Sequence, residues 1–335
     1  MLNENLDYSI TAQYVAKAAS RALGLLISKS KLMGGMPLKT FEKLFESTVI
    51  SVISYGSGIW GQKRYKCIDM VQNRAGRFYL GVGKSAPNAA VFGDLGWTPI
   101  HISQWDSVIR QYRRFCKMDN DRLNKRIFRW ADIQTNLNWN ATVHRKLSSL
   151  NLAQLANHNF IIGTKKCVKL VREAQMNIYL TEWTTEIMRQ NSKSGNGLNK
   201  LRTYRTFKST YDVEHYNTII LPRLHRSALA KFRMGTAPIR IETGRYERIP
   251  ADRRFCFHCE SCIEDEIHVL VECPLYEDLR RELYDYCTTR TSDNLNNLND
   301  CDKLSAILSN RNIIRHSAKF CSKVLTRRYM FLNSR

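Results

Sequence analysis

The chain has 335 residues, 52 Lys and Arg against 30 Asp and Glu, and a formal net charge of +22. Its length suggests two or three domains, and an apolar share of 43% is enough for packed cores. A positive field of this size favours polyanionic partners, nucleic acid first among them, and no apolar run approaches the ~20 residues that span a bilayer, so no membrane association is expected.

The opening MLNENLDYSI has no basic segment followed by an apolar core. No secretory signal is therefore expected, which places the chain inside the cell, in nucleus or cytoplasm, with its cysteines reduced. Helical periodicity is plentiful and strand signals are scarce, so the expected fold class is mainly α. Residues 10–27 form an Ala-rich helical stretch. Phe41, Leu44, Phe45, Thr48, Val49 and Val52 then follow one helix face, with Gly34, Gly35 and Pro37 marking its start. YGSG at 55–58 is a break. Ile68, Val71, Ala75 and Phe78 define a further helix ended by Gly81, with Arg74 and Arg77 on its opposite face. The Gly- and Pro-punctuated segment 82–99 reads as loop or short turns.

Residues 100–185 read as helical and unusually basic, with RQYRRFCK, NKRIFRW and TKKCVKLVR among them. QNSKSGNG, 190–197, is a polar, flexible connection and a domain boundary. A helix over 216–234 is expected to turn Leu221, Leu224, Ala228 and Phe232 inward and Arg223, Arg226 and Arg233 outward. TTRTSDNLNNLND at 288–300 is a second linker. The organisation expected is a helical unit at 1–110, a basic helical region at 111–190, a basic segment with a cysteine-rich stretch at 198–287, and C-terminal helices at 301–335.

CFHCESCIEDEIHVLVECP, 256–274, packs four cysteines and two histidines into nineteen positions. Cys256, Cys259, His268 and Cys273 have the features of a structural zinc site: a CxxC turn, then a His and a Cys about one turn apart on a short helix. Four soft ligands satisfy tetrahedral Zn²⁺ and leave no position open for chemistry. A second register, Cys259, Cys262, His268 and Cys273, fits the spacing as well. Glu264, Asp265, Glu266, Glu272, Glu277 and Asp278 complement the start of the helix that supplies His268. They also oppose a phosphate backbone. Residues 200–254, with thirteen Lys/Arg against five Asp/Glu, are the expected contact with nucleic acid.

No catalytic residues are expected. MDND at 118–121 pairs two carboxylates, but in a basic helical context rather than on the apolar hairpin of a two-metal site. EDEIH lacks the second histidine of a metalloprotease helix, and there is no P-loop.

Several blocks together resemble the C-terminal part of a non-LTR (LINE-type) retrotransposon reverse transcriptase, downstream of its palm. AASRALGLLISKSK, FEKLFESTVISVISYGSGIWG and VQNRAGRFYLGVGKSAPNAAVFGDLGW resemble the thumb that follows the polymerase core. KLRTYRTFK, RSALAKFRMGTAPIRIETGRYERIP and RRFCFHCESCIEDEIHVLVECPLYEDLRREL resemble the region ending in a zinc-knuckle-like motif. In such enzymes the thumb holds the template–primer, which implies Gln72, Asn73, Arg74 and Arg77 near its backbone. The family pattern of Arg, CxxC, acidic run, His and Cys-Pro falls on Arg254, Cys256, Cys259, His268, Cys273 and Pro274, favouring the first register. The palm's Tyr-x-Asp-Asp, the fingers and both endonuclease types are missing. The resemblance thus implies a non-catalytic piece of an RNA-directed DNA polymerase that binds RNA or DNA backbone with low sequence specificity, with an upstream palm as partner. The alternatives are the C-terminal part of a working polymerase truncated in this chain, a protein–protein docking module, or a relic.

Overall fold

The computed structural model describes residues 7–133, 138–157, 162–190, 199–291 and 295–334, and among them it is built of helices, without strands. The mainly α class is as expected. A single antiparallel bridge, Phe255 with Ile263, is the exception among the described residues. In chain order the longer helices are α1 (Ser9–Leu32), α2 (Leu38–Phe45), α3 (Lys66–Leu80), α4 (Asn88–Leu95), α5 (Ile100–Cys116), α6 (Leu123–Ile133) and α7 (Trp139–Ser149). They continue with α8 (Thr164–Met188), α9 (Arg223–Arg233), α10 (Arg240–Tyr246), α11 (Glu277–Arg290), α12 (Asp300–Ser309) and α13 (Ile314–Asn333). None is long and apolar enough to cross a membrane. Most of the connection 190–197, and residues 292–294 of the 288–300 linker, lie outside the described residues.

The helices gather into two units, one of Met1–Lys29, Glu42–Asn73 and Thr98–Glu182, the other of Ser30–Phe41, Arg74–Trp97 and Trp183–Arg335. In the first, α5 buries Trp105, Val108, Ile109 and Tyr112 against Phe128 of α6, Val143 and Leu147 of α7, and Cys167 and Val171 of α8. The Tyr112 hydroxyl donates to the Ala156 carbonyl at 2.9 Å, so this aromatic centre leaves no hydroxyl stranded. The buried Lys125 ammonium caps the end of α5 by donating to the Phe115 and Cys116 carbonyls.

In the second unit α9 packs along α13. Its core holds charge. Arg233, fully buried, donates to both oxygens of Asp94 at 2.9 and 2.8 Å, and the Tyr204 and Tyr216 hydroxyls donate to the same carboxylate. Asp94 sits on α4, in a segment expected to be loop. Pro87 and Gly93 made it read so, yet Pro87 takes the N-cap position and Gly93 lets Tyr204 approach: an added Cβ would lie 2.5 Å from that hydroxyl. Gly235, at φ +61°, ends α9, and any side chain there would collide with the Lys200 carbonyl.

The helix expected over 216–234 is broken. A turn covers His215–Thr218, and α9 begins only after Pro222. Its orientation also differs: Leu224 is exposed, while Arg226 and Arg233 are buried. Sequence periodicity assigns arginines to solvent; here buried carbonyl and carboxylate partners reverse that assignment.

Candidate metal centre

The stretch 254–264 folds as a small hairpin. Cys256 N–H donates to the Cys262 carbonyl at 2.7 Å, and Glu264 N–H to the Arg254 carbonyl at 2.9 Å. Glu260, at φ +58°, makes the turn between them. The hairpin's first arm bends through Cys256-Phe257-His258-Cys259, where the His258 N–H points at the Cys256 sulfur at 3.4 Å. Asp265 then caps the next turn, its carboxylate accepting from the His268 N–H at 2.9 Å. His268–Glu272 follows as one wide π-turn, closed by Cys273 N–H on the His268 carbonyl. That turn sends the imidazole of His268 and the thiol of Cys273 back to the two hairpin cysteines.

The result is a cluster of four ligand atoms, from Cys256, Cys259, His268 and Cys273, all within 4.8 Å of one another. The Cys273 sulfur lies 4.0 Å from that of Cys256 and 3.7 Å from that of Cys259. Cys256, His268 and Cys273 are buried and Cys259 is half-buried. His268 Nε2 is buried without a hydrogen-bond partner, whereas Nδ1 is 3.3 Å from a Glu272 carboxylate oxygen. A carboxylate at Nδ1 fixes the tautomer that leaves Nε2 as a lone-pair donor. The Cys256 thiol is pushed down, chiefly by the Cys273 thiol donating to its sulfur and against the effect of burial. One thiolate is thus favoured inside the cluster. Four soft donors, one of them orphaned, can hold a metal ion. Cys262 is exposed and turned toward Ser261, outside the cluster.

The acidic run has a different role from the one its sequence suggests. Glu264 is buried and accepts from Arg328 of α13 through both oxygens, at 2.8 and 2.7 Å, and from the Arg240 N–H at 2.5 Å. Glu266, also buried, accepts from Arg202 at 2.6 Å and from the Thr203 hydroxyl. Asp278 pairs with Arg327. Glu264 and Glu266 thus fasten the cysteine-rich loop to its neighbours rather than face solvent, whereas Asp278, on α11, keeps its carboxylate exposed.

Internal partners also occupy many of the cations expected to meet phosphate, though Arg248 and Arg253 stay exposed. Lys200 and Arg245 both pair with Glu242, and Arg240 pairs with Glu247 at 2.5 Å. Lys208 is buried against Asp212 and Glu214. Arg233 belongs to Asp94, and Arg226 donates to the backbone carbonyl and hydroxyl of Tyr79. Arg254 donates to the Ile249 and Ile241 carbonyls, closing the strap beneath the hairpin. Of the thumb-like positions, Gln72 is buried, bonding the Thr98 carbonyl and the Ile100 N–H. Arg77 holds the Ala86 carbonyl and Asn88. Asn73 is half-buried, and Arg74 and Arg223 are exposed.

One group of exposed cations that sequence reasoning left unassigned lies in the first unit. Arg110 and Arg114 share a face of α5 with Lys117 just past its end, and Arg126 and Arg129 share a face of α6 with Arg122 just before its start, each set at i, i+4, i+7 spacing. Apart from Arg122, which is 3.8 Å from Asp119, none has a carboxylate partner among the described residues. Trp130 and Ile127 stand exposed among them. The spacing was readable in RQYRRFCK and NKRIFRW. Asp119 is itself 80% exposed, so MDND does not form an enclosed carboxylate pair. The chain matches no protein-family model, no curated protein and no solved structure.

Proposed function

We propose that the chain is a non-catalytic nucleic-acid-binding protein whose cysteine-rich loop is held by a structural zinc ion. The observation that carries the binding reading is the pair of exposed arginine and lysine rows on α5 and α6, almost free of carboxylates. In a chain of +22 whose second unit spends many of its cations on internal pairs, those rows hold a concentration of exposed charge that internal pairs leave unneutralised. Backbone phosphates reward such rows through counterion release, and Trp130 offers a face for a base to stack on. The order of the sequence blocks and the loop's ligand pattern support an origin in the C-terminal part of a non-LTR retrotransposon reverse transcriptase.

Zinc is favoured by the donor set and by distance. Tetrahedral zinc with Zn–S bonds of about 2.3 Å puts its sulfurs roughly 3.8 Å apart, and the sulfurs here are separated by 3.7 and 4.0 Å. Three thiols and one imidazole fill all four positions, so the ion stabilises the loop and offers no site for substrate.

Fluorescence anisotropy with a labelled single strand, run from low to high salt, tests the binding reading. Changing Arg110, Arg114, Lys117, Arg126 and Arg129 to Gln should flatten the slope of log K against log salt by about 3–4 units, at ~0.7 per phosphate contact. An unchanged slope would remove α5 and α6 from the interface.

A further inference from the structure

A small pocket in the second unit has the chemistry of an oxyanion site. It measures about 100 Å³, and its walls include Ser30, Lys31, Phe78, Tyr79, Arg223 and Arg226. One water needs about 10–15 Å³ on this measure, so a tetrahedral oxyanion has room. Three of its lining residues are cations and none is an acid.

The two guanidiniums are held on aromatic faces. That of Arg223 stacks 4.9 Å from the Phe78 ring centre, and that of Arg226 stacks 4.2 Å from Tyr79. Stacking occupies the faces of a guanidinium and leaves its N–H edges free to grip a planar or tetrahedral anion. Arg226 is only 6% exposed, yet no carboxylate pairs with it among the described residues. Its Nε and Nη1 are spent on Tyr79, which leaves Nη2. Burial, with a smaller push from the Arg223 charge, lowers its pKa. The other buried arginines of this unit differ: Arg233 and Arg328 have carboxylates, and Arg254 and Arg280 donate to backbone carbonyls, with the Glu242 charge near Arg254 and the Glu277 and Glu272 charges near Arg280. The pocket also lies at the first turn of α9, whose N-terminus has no side-chain cap and no acid in its first turn. Its free N–H groups add positive potential there.

We infer that this pocket binds one phosphate group, gripped by Arg223 and Arg226 with Lys31 at the rim. Its source, resting on the nucleic-acid reading above, is the backbone of a bound strand.

The test uses the full chain and inorganic phosphate, followed by ³¹P line broadening. Phosphate should bind saturably, and Arg223→Gln and Arg226→Gln should each weaken it at least tenfold, with Lys231→Gln leaving it unchanged. Arg223 is exposed, so its substitution separates lost binding from lost folding should Arg226→Gln misfold. An unlabelled single strand should displace the phosphate. If Arg223→Gln binds phosphate as well as the native chain does, the pocket is not an oxyanion site, whatever the α5–α6 variant shows. If phosphate binds through the arginines but the strand does not displace it, the backbone is not its source. The salt-slope experiment then judges nucleic-acid binding on its own.

Discussion

Glu264→Gln should loosen the metal loop more than its sequence context suggests. In the folded chain this side chain is 4% exposed and Arg328 opposite is 7% exposed. The substitution keeps the shape but removes the charge, and its amide must turn a donor either toward Arg328 Nε or toward both Arg328 Nη2 and the Arg240 N–H. Two charge-assisted bonds are weakened and a buried guanidinium is left without a counter-charge, which costs about 3–5 kcal/mol. At 1.4 kcal/mol per decade this is roughly 2–4 decades in an opening equilibrium. Hydrogen exchange reads it at the amides of Cys256, Glu264 and Cys273, whose partners are the Cys262, Arg254 and His268 carbonyls. Removing both partners, as in Glu264→Gln with Arg328→Met, should cost less than Glu264→Gln alone, because no charge is stranded. A loss below about 1 kcal/mol, the level of an exposed ion pair, would refute the anchoring role.

Mass spectrometry of the purified chain should find one zinc, lost in Cys256→Ser and His268→Ala and retained in Cys262→Ser, whose thiol lies outside the cluster. Equal loss in Cys262→Ser would mean the other register. Acidification should release the ion, because its ligands bind only when deprotonated; zinc bound equally well at pH 4 and pH 7 would contradict cysteine ligation. His101 titrates at about 4, pushed down by burial first and then by the Arg64 charge. Its ordinary value is ~6.5, so between about 6.5 and 4 the unfolded chain takes up a proton that the folded chain refuses. The stability of the first unit should therefore fall as pH drops through that window, and His101→Gln should remove this component of the melting profile.

What the sequence made legible was local. The cysteine cluster spans eighteen residues, and a CxxC turn plus a His and a Cys on one following turn is a geometry that spacing alone constrains. The α class followed from periodicity in the same way. What was hidden depends on partners distant in the chain. Arg233 looks like a surface charge until Asp94, 139 residues earlier, is placed beside it. Arg226 is held by Tyr79 across 147 residues, and Glu264 by Arg328 across 64. Pro87 and Gly93 hide α4 in the sequence because both read as breakers, whereas one is a helix-start residue and the other makes room for Tyr204. The gap between the two classes is the separation over which a charge finds its counter-charge.

The uneven burial of the four ligands has a kinetic consequence. Three of them are enclosed and only Cys259 is half-exposed. A chelator or an oxidant therefore meets the cluster from one side, and its first encounter is with the Cys259 sulfur. Exchange of the ion should be ordered, beginning with detachment of that thiolate, and slow while the Glu264 and Glu266 anchors keep the other three closed. On the zinc reading proposed above, the loop would be gated at a single atom, and its lifetime in a metal-poor compartment would be set by how often that atom lets go.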